Sequence, residues 1–154
     1  MNMKRNIFLS WSIISFSIAL FVVSFCITGT RAGQTHVVIN EIAAFEKNGL
    51  EWIEIFNPTE QDISLEGYTF LEDDTKHRLT LFQGSFVLSP QEVAVIAQDA
   101  EALYLAYPFL SSTIFDSSWG TLSQSGEQIG LVDPQGQILE QFRYPSSTTF
   151  SLQR

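Results

Sequence analysis

The sequence predicts an all-β fold: an antiparallel β-sandwich with one short helix, preceded by an N-terminal hydrophobic helix. Three observations carry that expectation. Past Gly33 the chain runs in apolar stretches of four to eight residues, rich in Val, Ile, Phe and Tyr. Gly, Pro, Asn and Asp punctuate those stretches at short intervals. No long helical pattern alternates with them, which argues for stacked antiparallel sheets over a βαβ sheet.

The chain begins with Lys4 and Arg5, followed by the uncharged run Ile7 to Ile27. As a helix those 21 residues reach about 31 Å, close to the ~30 Å hydrocarbon core of a bilayer. Residues 1–32 therefore read as a signal peptide or a single-span membrane anchor. The length favours the anchor, because a secretory apolar region runs to roughly 7–15 residues. Five serines in the run and a small-residue site at Thr30-Arg31-Ala32 keep cleavage near Ala32 open. Either way the basic start stays in the cytoplasm and everything after the span is extracytoplasmic. Cys26 is the single cysteine and follows the bulky Phe25, a poor context for lipid attachment, so it reads as a small apolar residue of the span.

Beyond residue 32 five basic residues (Lys47, Lys76, Arg78, Arg143 and Arg154) face all seventeen acids, a net charge of −12. That sign repels phosphate backbones and anionic headgroups, so nucleic acid is an unlikely partner for this part. No disulfide is available there. About 120 residues with many aromatics must be held by their core alone.

Within residues 36–154 the pattern predicts strands over Val37–Ala44, Glu51–Phe56, Tyr68–Glu72 and Arg78–Leu81. It predicts four more over Phe86–Leu88, Glu92–Ala97, Gln128–Val132 and Ile138–Tyr144. Turn chemistry separates them at Lys47-Asn48-Gly49, Asn57-Pro58-Thr59, Ser89-Pro90-Gln91 and Asp133 to Gly136. Asp99–Tyr107 reads as the short helix, with acids in its first turn and Pro108 as its stop. It is expected to plug one end of the sheets with Leu103 and Tyr107 turned inward. In the stretch EWIEIFNPTEQDISLEGYTF, Trp52, Glu54 and Phe56 share one strand face and Glu51, Ile53 and Ile55 the other. Both faces are largely apolar, so the outer one is expected to be covered by loops or by the helix.

An ordered set of motifs resembles the lamin tail domain family. Val38-Ile39-Asn40-Glu41-Ile42 opens the set, and Glu51 to Thr59, Ile63 to Tyr68 and Leu88 to Glu92 continue it. Trp119-Gly120, Leu122 to Val132 and Asp133 to Gly136 complete it. The resemblance implies an immunoglobulin-like sandwich over nearly all of the chain beyond the leader. It also implies a bacterial-type exported module that binds or positions another macromolecule.

Candidate chemistry is sparse. Asn40, Glu41, Glu51 and Glu54 offer carboxylates from neighbouring strands as acid, base or oxygen ligands. Hydrogen bonding to turn amides, or pairing with Lys47, Lys76 or Arg78, is the simpler role for them. Glu72-Asp73-Asp74 fits no EF-hand loop and reads as a solvated acidic turn. His36 and His77 lack zinc-ligand spacing and read as surface residues. No G-x-S-x-G occurs, and Pro58 disqualifies Asn57 as a glycosylation acceptor. The aromatics Trp52, Phe56, Tyr68, Phe70, Phe82, Phe86, Trp119, Phe142 and Tyr144 read mainly as core, with room for a stacking patch.

The expectation is thus a non-enzymatic module with no catalytic, metal or cofactor residues and no cofactor. It would recognise a protein or envelope polymer and touch the membrane through residues 7–27 if uncleaved. Two other classes stand beside it: an accessory domain or fragment of an exported hydrolase or nuclease, and a metal-dependent enzyme using Glu41, Glu51 and Glu54.

Overall fold

The structure, a computed structural model, describes residues 34–44, 46, 50–146 and 152–153, all within one compact unit, Arg31–Arg154. The hydrophobic helix expected over residues 7–27 and the turn expected at residues 47–49 fall outside the described residues. Among the described residues no helix is long and apolar enough to cross a membrane.

The elements in chain order are β1 (Val38–Ala43), β2 (Trp52–Phe56), β3 (Ile63–Ser64), β4 (Thr69–Glu72), β5 (Thr75–Arg78), β6 (Thr80–Gln83) and β7 (Val87–Leu88). They continue with β8 (Val93–Ala97), α1 (Ala100–Ala106), β9 (Thr113–Asp116), β10 (Gln128–Val132), β11 (Ile138–Arg143) and β12 (Leu152–Gln153). One sheet has the order β12-β1-β2-β8-β9-β6, a second β11-β10-β4-β5, and β3 pairs with β7 in a small ribbon. The fold is mostly β-strand with one short helix, as an all-β sandwich requires.

Apolar residues of both main sheets meet in one core. Ile39, Ile42, Ile53, Ile55, Ile96 and Phe115 come from the six-stranded sheet, and Phe70, Ile129 and Leu131 from the four-stranded one. Each is at most 1–2 % exposed, and burying such a side chain stabilises by roughly 1.5–3 kcal/mol relative to leaving it in water.

Three expectations change in detail. The segment expected as one strand over Arg78–Leu81 divides between two sheets. β5 is an edge of the smaller sheet and β6 an edge of the larger, with Leu79 buried at the corner between them. The sheets are not wholly antiparallel, because β8 and β9 pair in parallel. Parallel neighbours need a crossover connection, and α1 supplies it. Finally, α1 does not plug an end of the sandwich. Its buried Ala100 and Leu103 pack with Val95, Ala97 and Ile114 in a second apolar cluster, which Trp52 joins from β2. The expected covering of the outer face of β2 is therefore present, with α1 and Leu110 contributing to it.

Local chemistry sets the helix ends. The Asp99 side chain caps the N-terminus by accepting from Ala102 N at 2.9 Å, and the Asp116 carboxylate on β9 accepts from Ala100 N at 2.9 Å. Tyr107 follows the last helical residue with φ −129° and ψ 67°. Its N–H still donates to Leu103 O at 2.9 Å, but its side chain is 50 % exposed and is not turned into the core as expected.

The Asn-Pro-Thr turn after β2 has a structural task. Asn57 is fully buried. Its Nδ2 donates to the carbonyls of Gln61 (2.8 Å), Leu88 (2.9 Å) and Ser89 (3.1 Å), while its Oδ1 accepts from Thr59 N (3.0 Å) and Thr59 Oγ1 (2.8 Å). One side chain thus ties the β2–β3 loop to the end of β7, consistent with an Asn locking its own turn. Gly126 holds φ +86° in the turn before β10, where a Cβ would collide with the Tyr144 carbonyl oxygen.

Candidate functional site

β2 places side chains alternately on the inner and outer faces of its sheet, and the two faces carry different groups. Inside, Glu51 is only 2 % exposed. Its Oε2 accepts from Trp119 Nε1 at 3.1 Å and from Leu122 N at 2.9 Å. Burial pushes its carboxyl above the ordinary range, and the two hydrogen bonds pull it back only in part, with the nearby Glu127 and Glu72 adding to the rise.

Glu127 caps the neighbouring turn, with Oε1 accepting from Ser123 N at 3.0 Å and from the Tyr144 hydroxyl at 3.1 Å. The same hydroxyl lies 2.9 Å from Ser123 O. Burial, then the charge of Glu127, drives the Tyr144 phenol far above its ordinary pKa, so it stays protonated and donates. Glu72 is raised as well, by burial first and by Glu127 next, with His77 opposing. His77 Nε2 sits 2.9 Å from Glu72 Oε2 and its Nδ1 2.7 Å from Ser118 O. A carbonyl faces Nδ1, so that nitrogen donates, and the ring bridges the Ser118 carbonyl to the Glu72 carboxylate.

These contacts revise two expectations. His77 stacks on Phe70 with ring centroids 5.9 Å apart and is a half-buried residue of β5 that links Glu72 of β4 to the Ser118 carbonyl; His36 too is half-buried. In Glu72-Asp73-Asp74 only the two aspartates form an exposed turn. Asp73 adopts φ +47° and accepts from Gln128 N at 3.3 Å, while Glu72 points to His77.

The candidate carboxylates divide between the two faces. A register shift in β1 between Ile39 and Glu41 sets Glu41 opposite Glu54. Asn40 Nδ2 donates to Glu54 Oε1 at 2.6 Å. Asn40, Glu41 and Glu54 thus share one neighbourhood, and Glu51 lies on the opposite face of β2. Among the described residues no three His, Cys, Asp or Glu side chains are placed to hold a metal ion.

The outer face carries an open concavity. It is a trough of about 670 Å³ with Trp52 and Glu54 of β2, Val95 of β8 and Leu103 and Ala106 of α1 along it, closed by residues 107–110, Ser112 and Glu46. Its volume falls within the range of ligand sites. The surface around it is unusually apolar. Of the seven large hydrophobic residues exposed among the described residues, five lie on or beside α1: Phe82, Tyr104, Leu105, Tyr107 and Phe109. Phe109 is 96 % exposed and Leu105 73 %, and Phe82 reaches Tyr104 from β6 with ring centroids 5.9 Å apart. Contiguous apolar surface of this kind marks a contact site far more often than scattered exposed residues do.

Of the aromatics expected to be core or platform, Phe70, Trp119 and Tyr144 are buried and Trp52 lines the trough. Phe109 carries no expectation from the sequence, and Tyr107, expected to turn inward, lines the trough with half its surface exposed. Their signal is the apolar Tyr107-Pro108-Phe109-Leu110 run, which continues after the proline that stops the helix.

The chain is thus a two-sheet β-sandwich whose internal acids are engaged in hydrogen bonds and whose outer face holds an open trough. The model of the lamin tail domain family matches residues 30–146, and the chain belongs to that family. The family is an immunoglobulin-like, non-catalytic one whose members often serve in binding or scaffolding. No curated protein matches the chain.

Proposed function

We propose that this chain is a non-catalytic binding module, exported and held outside the cytoplasmic membrane, that positions a macromolecular partner through the trough between β2, α1 and residues 107–110. The observation that carries the reading is the exposure of Tyr107 and Phe109 on that trough. Exposing these side chains to water has no folding benefit, since α1 is already anchored by Ala100 and Leu103. Export is supported by the basic start and the uncharged run at residues 7–27. The acid-rich sequence beyond it argues for a protein or neutral polymer as partner.

Two measurements test the two halves. A photo-crosslinking residue at Phe109, introduced into the full-length chain in its native host, should yield discrete adducts that the same residue at exposed Glu60 does not. Equal adduct patterns from both positions would remove the trough as the contact surface. Intact mass with membrane fractionation tests the location. A full-length chain in the membrane fraction means a tethered module, and a mass beginning near Gly33 in the soluble fraction means a secreted one. Full-length protein confined to the cytosol would refute export.

A further inference from the structure

The trough is not uniformly apolar, and among the described residues its charged groups are of one sign. Glu54 stands half-buried on it beside Trp52, and Glu46 stands at its rim. Asn40 occupies Glu54 Oε1, and no described residue donates a hydrogen bond to the other oxygen, Oε2. Among the described residues no Lys or Arg lines the trough. Among the described residues a neutral amide is the group that balances this half-buried carboxylate, so a cation arriving beside it gains more than at an open surface. Trp52 next to Glu54 adds a ring face that attracts the same charge.

Resting on the reading of the trough as the contact surface, we infer that its occupant is a peptide segment presenting an aliphatic or aromatic side chain next to a lysine or arginine. The apolar side chain would lie among Leu103, Tyr107 and Phe109, and the cation would reach Glu54. Three other occupants fit less well. A carbohydrate stacks its flat face on an open aromatic platform, and here Trp52 is half-buried and packed against the apolar cluster under α1. A second copy of the chain would bring two sets of Glu46 and Glu54 together across a two-fold axis. Nucleic acid and anionic lipid carry the charge that these carboxylates repel.

The test uses the full-length chain and three otherwise identical short synthetic peptides. Each contains a Leu-Phe pair flanked by lysines, by glutamines or by glutamates, and binding is read by fluorescence anisotropy at low and high salt. The lysine peptide should bind at least about tenfold more tightly than the glutamate peptide, with the gap narrowing as salt rises. Glu54→Gln keeps the shape and the Asn40 contact. It should weaken the lysine peptide about fivefold and leave the glutamine peptide within about twofold. Phe109→Ala should weaken lysine and glutamine peptides alike, by about tenfold.

If charge makes no difference while Phe109→Ala still weakens every peptide, the trough stands as a contact surface and the cation is refuted. If no peptide binds at millimolar concentration, the inference falls, and the trough itself is then judged by the cross-links from position 109. Self-association that is abolished by Phe109→Ala would assign the surface to a second copy and overturn the inference.

Discussion

Removing the carboxylate of Glu51 should unfold this domain far more readily than removing most surface acids. The side chain is 2 % exposed, and one of its oxygens satisfies two buried donors, Trp119 Nε1 and Leu122 N. Glu51→Ala leaves both donors without a partner, at about 1–3 kcal/mol each. Part of that loss is offset, because the alanine no longer holds a carboxylate away from water. The expected net loss is about 2–4 kcal/mol, or roughly 8–16 °C in Tm for a domain of this size. Glu51→Gln retains an acceptor in the same place and should stay within about 1 kcal/mol of the parent.

The pH dependence separates the two effects. Burial raises the Glu51 carboxyl above its ordinary 4.5, so the folded state binds the proton more tightly than the unfolded chain does. The stabilisation from that proton is complete below pH 4.5 and is lost as pH rises through the raised folded value. Glu51→Gln cannot lose it, so its stability relative to the parent should improve across that window and then level off. Thermal melts of the two variants and the parent from acid to neutral pH measure both quantities. An alanine variant as stable as the parent, or a glutamine variant as damaged as the alanine one, would refute the hydrogen-bond account.

Three further outcomes are expected. Gly126→Ala forces a Cβ into the Tyr144 carbonyl at φ +86° and should cost about 1–3 kcal/mol; a denaturant midpoint equal to that of the parent would contradict it. Tyr144→Phe removes the hydroxyl that bridges Ser123 O and Glu127 and should cost about 1–2 kcal/mol by the same measurement. Asp99→Ala removes the cap of α1 and should cost about 1 kcal/mol, with hydrogen exchange accelerating at residues 100–106 and not in β10. Uniform acceleration across both would mean that α1 does not open independently.

Much of the fold was legible because its main strands are long enough to show their own pattern. β2, β8 and β10 sit within about a residue of their expected ranges, and the Asn57-Pro58-Thr59 turn follows β2 as expected. The differences arise where local pattern carries no information. β9 is four residues long and its neighbour β8 is parallel, a partnership fixed by the α1 crossover and invisible in the alternation of Thr113 to Asp116. The division of residues 75–83 between two sheets turns on the single residue Leu79, whose burial at a corner looks like any apolar position in a strand. Glu127 lies in the polar run Ser125-Gly126-Glu127-Gln128, where nothing marks it as buried until Tyr144 closes over it. Tyr107 keeps the four-residue spacing from Leu103 at the end of α1, and that spacing alone does not show that its side chain is half exposed there.

The parity of β2 bears on function as much as on folding. Glu51 and Glu54 are three residues apart, a spacing that brings side chains together on a helix and sends them to opposite faces of a strand. A metal-dependent reaction that needs both carboxylates on one centre therefore cannot be assembled on β2, however the loops move. The same parity gives the two acids different electrostatic settings. Glu51 meets two donors inside and serves the core, whereas Glu54 meets one amide and faces the trough. Substitution at Glu51 should therefore change melting before it changes binding, and substitution at Glu54 the reverse. Within the four residues Glu51-Trp52-Ile53-Glu54 the chain alternates between holding itself together and presenting a surface, which is how a domain this small keeps an open apolar site without giving up its core.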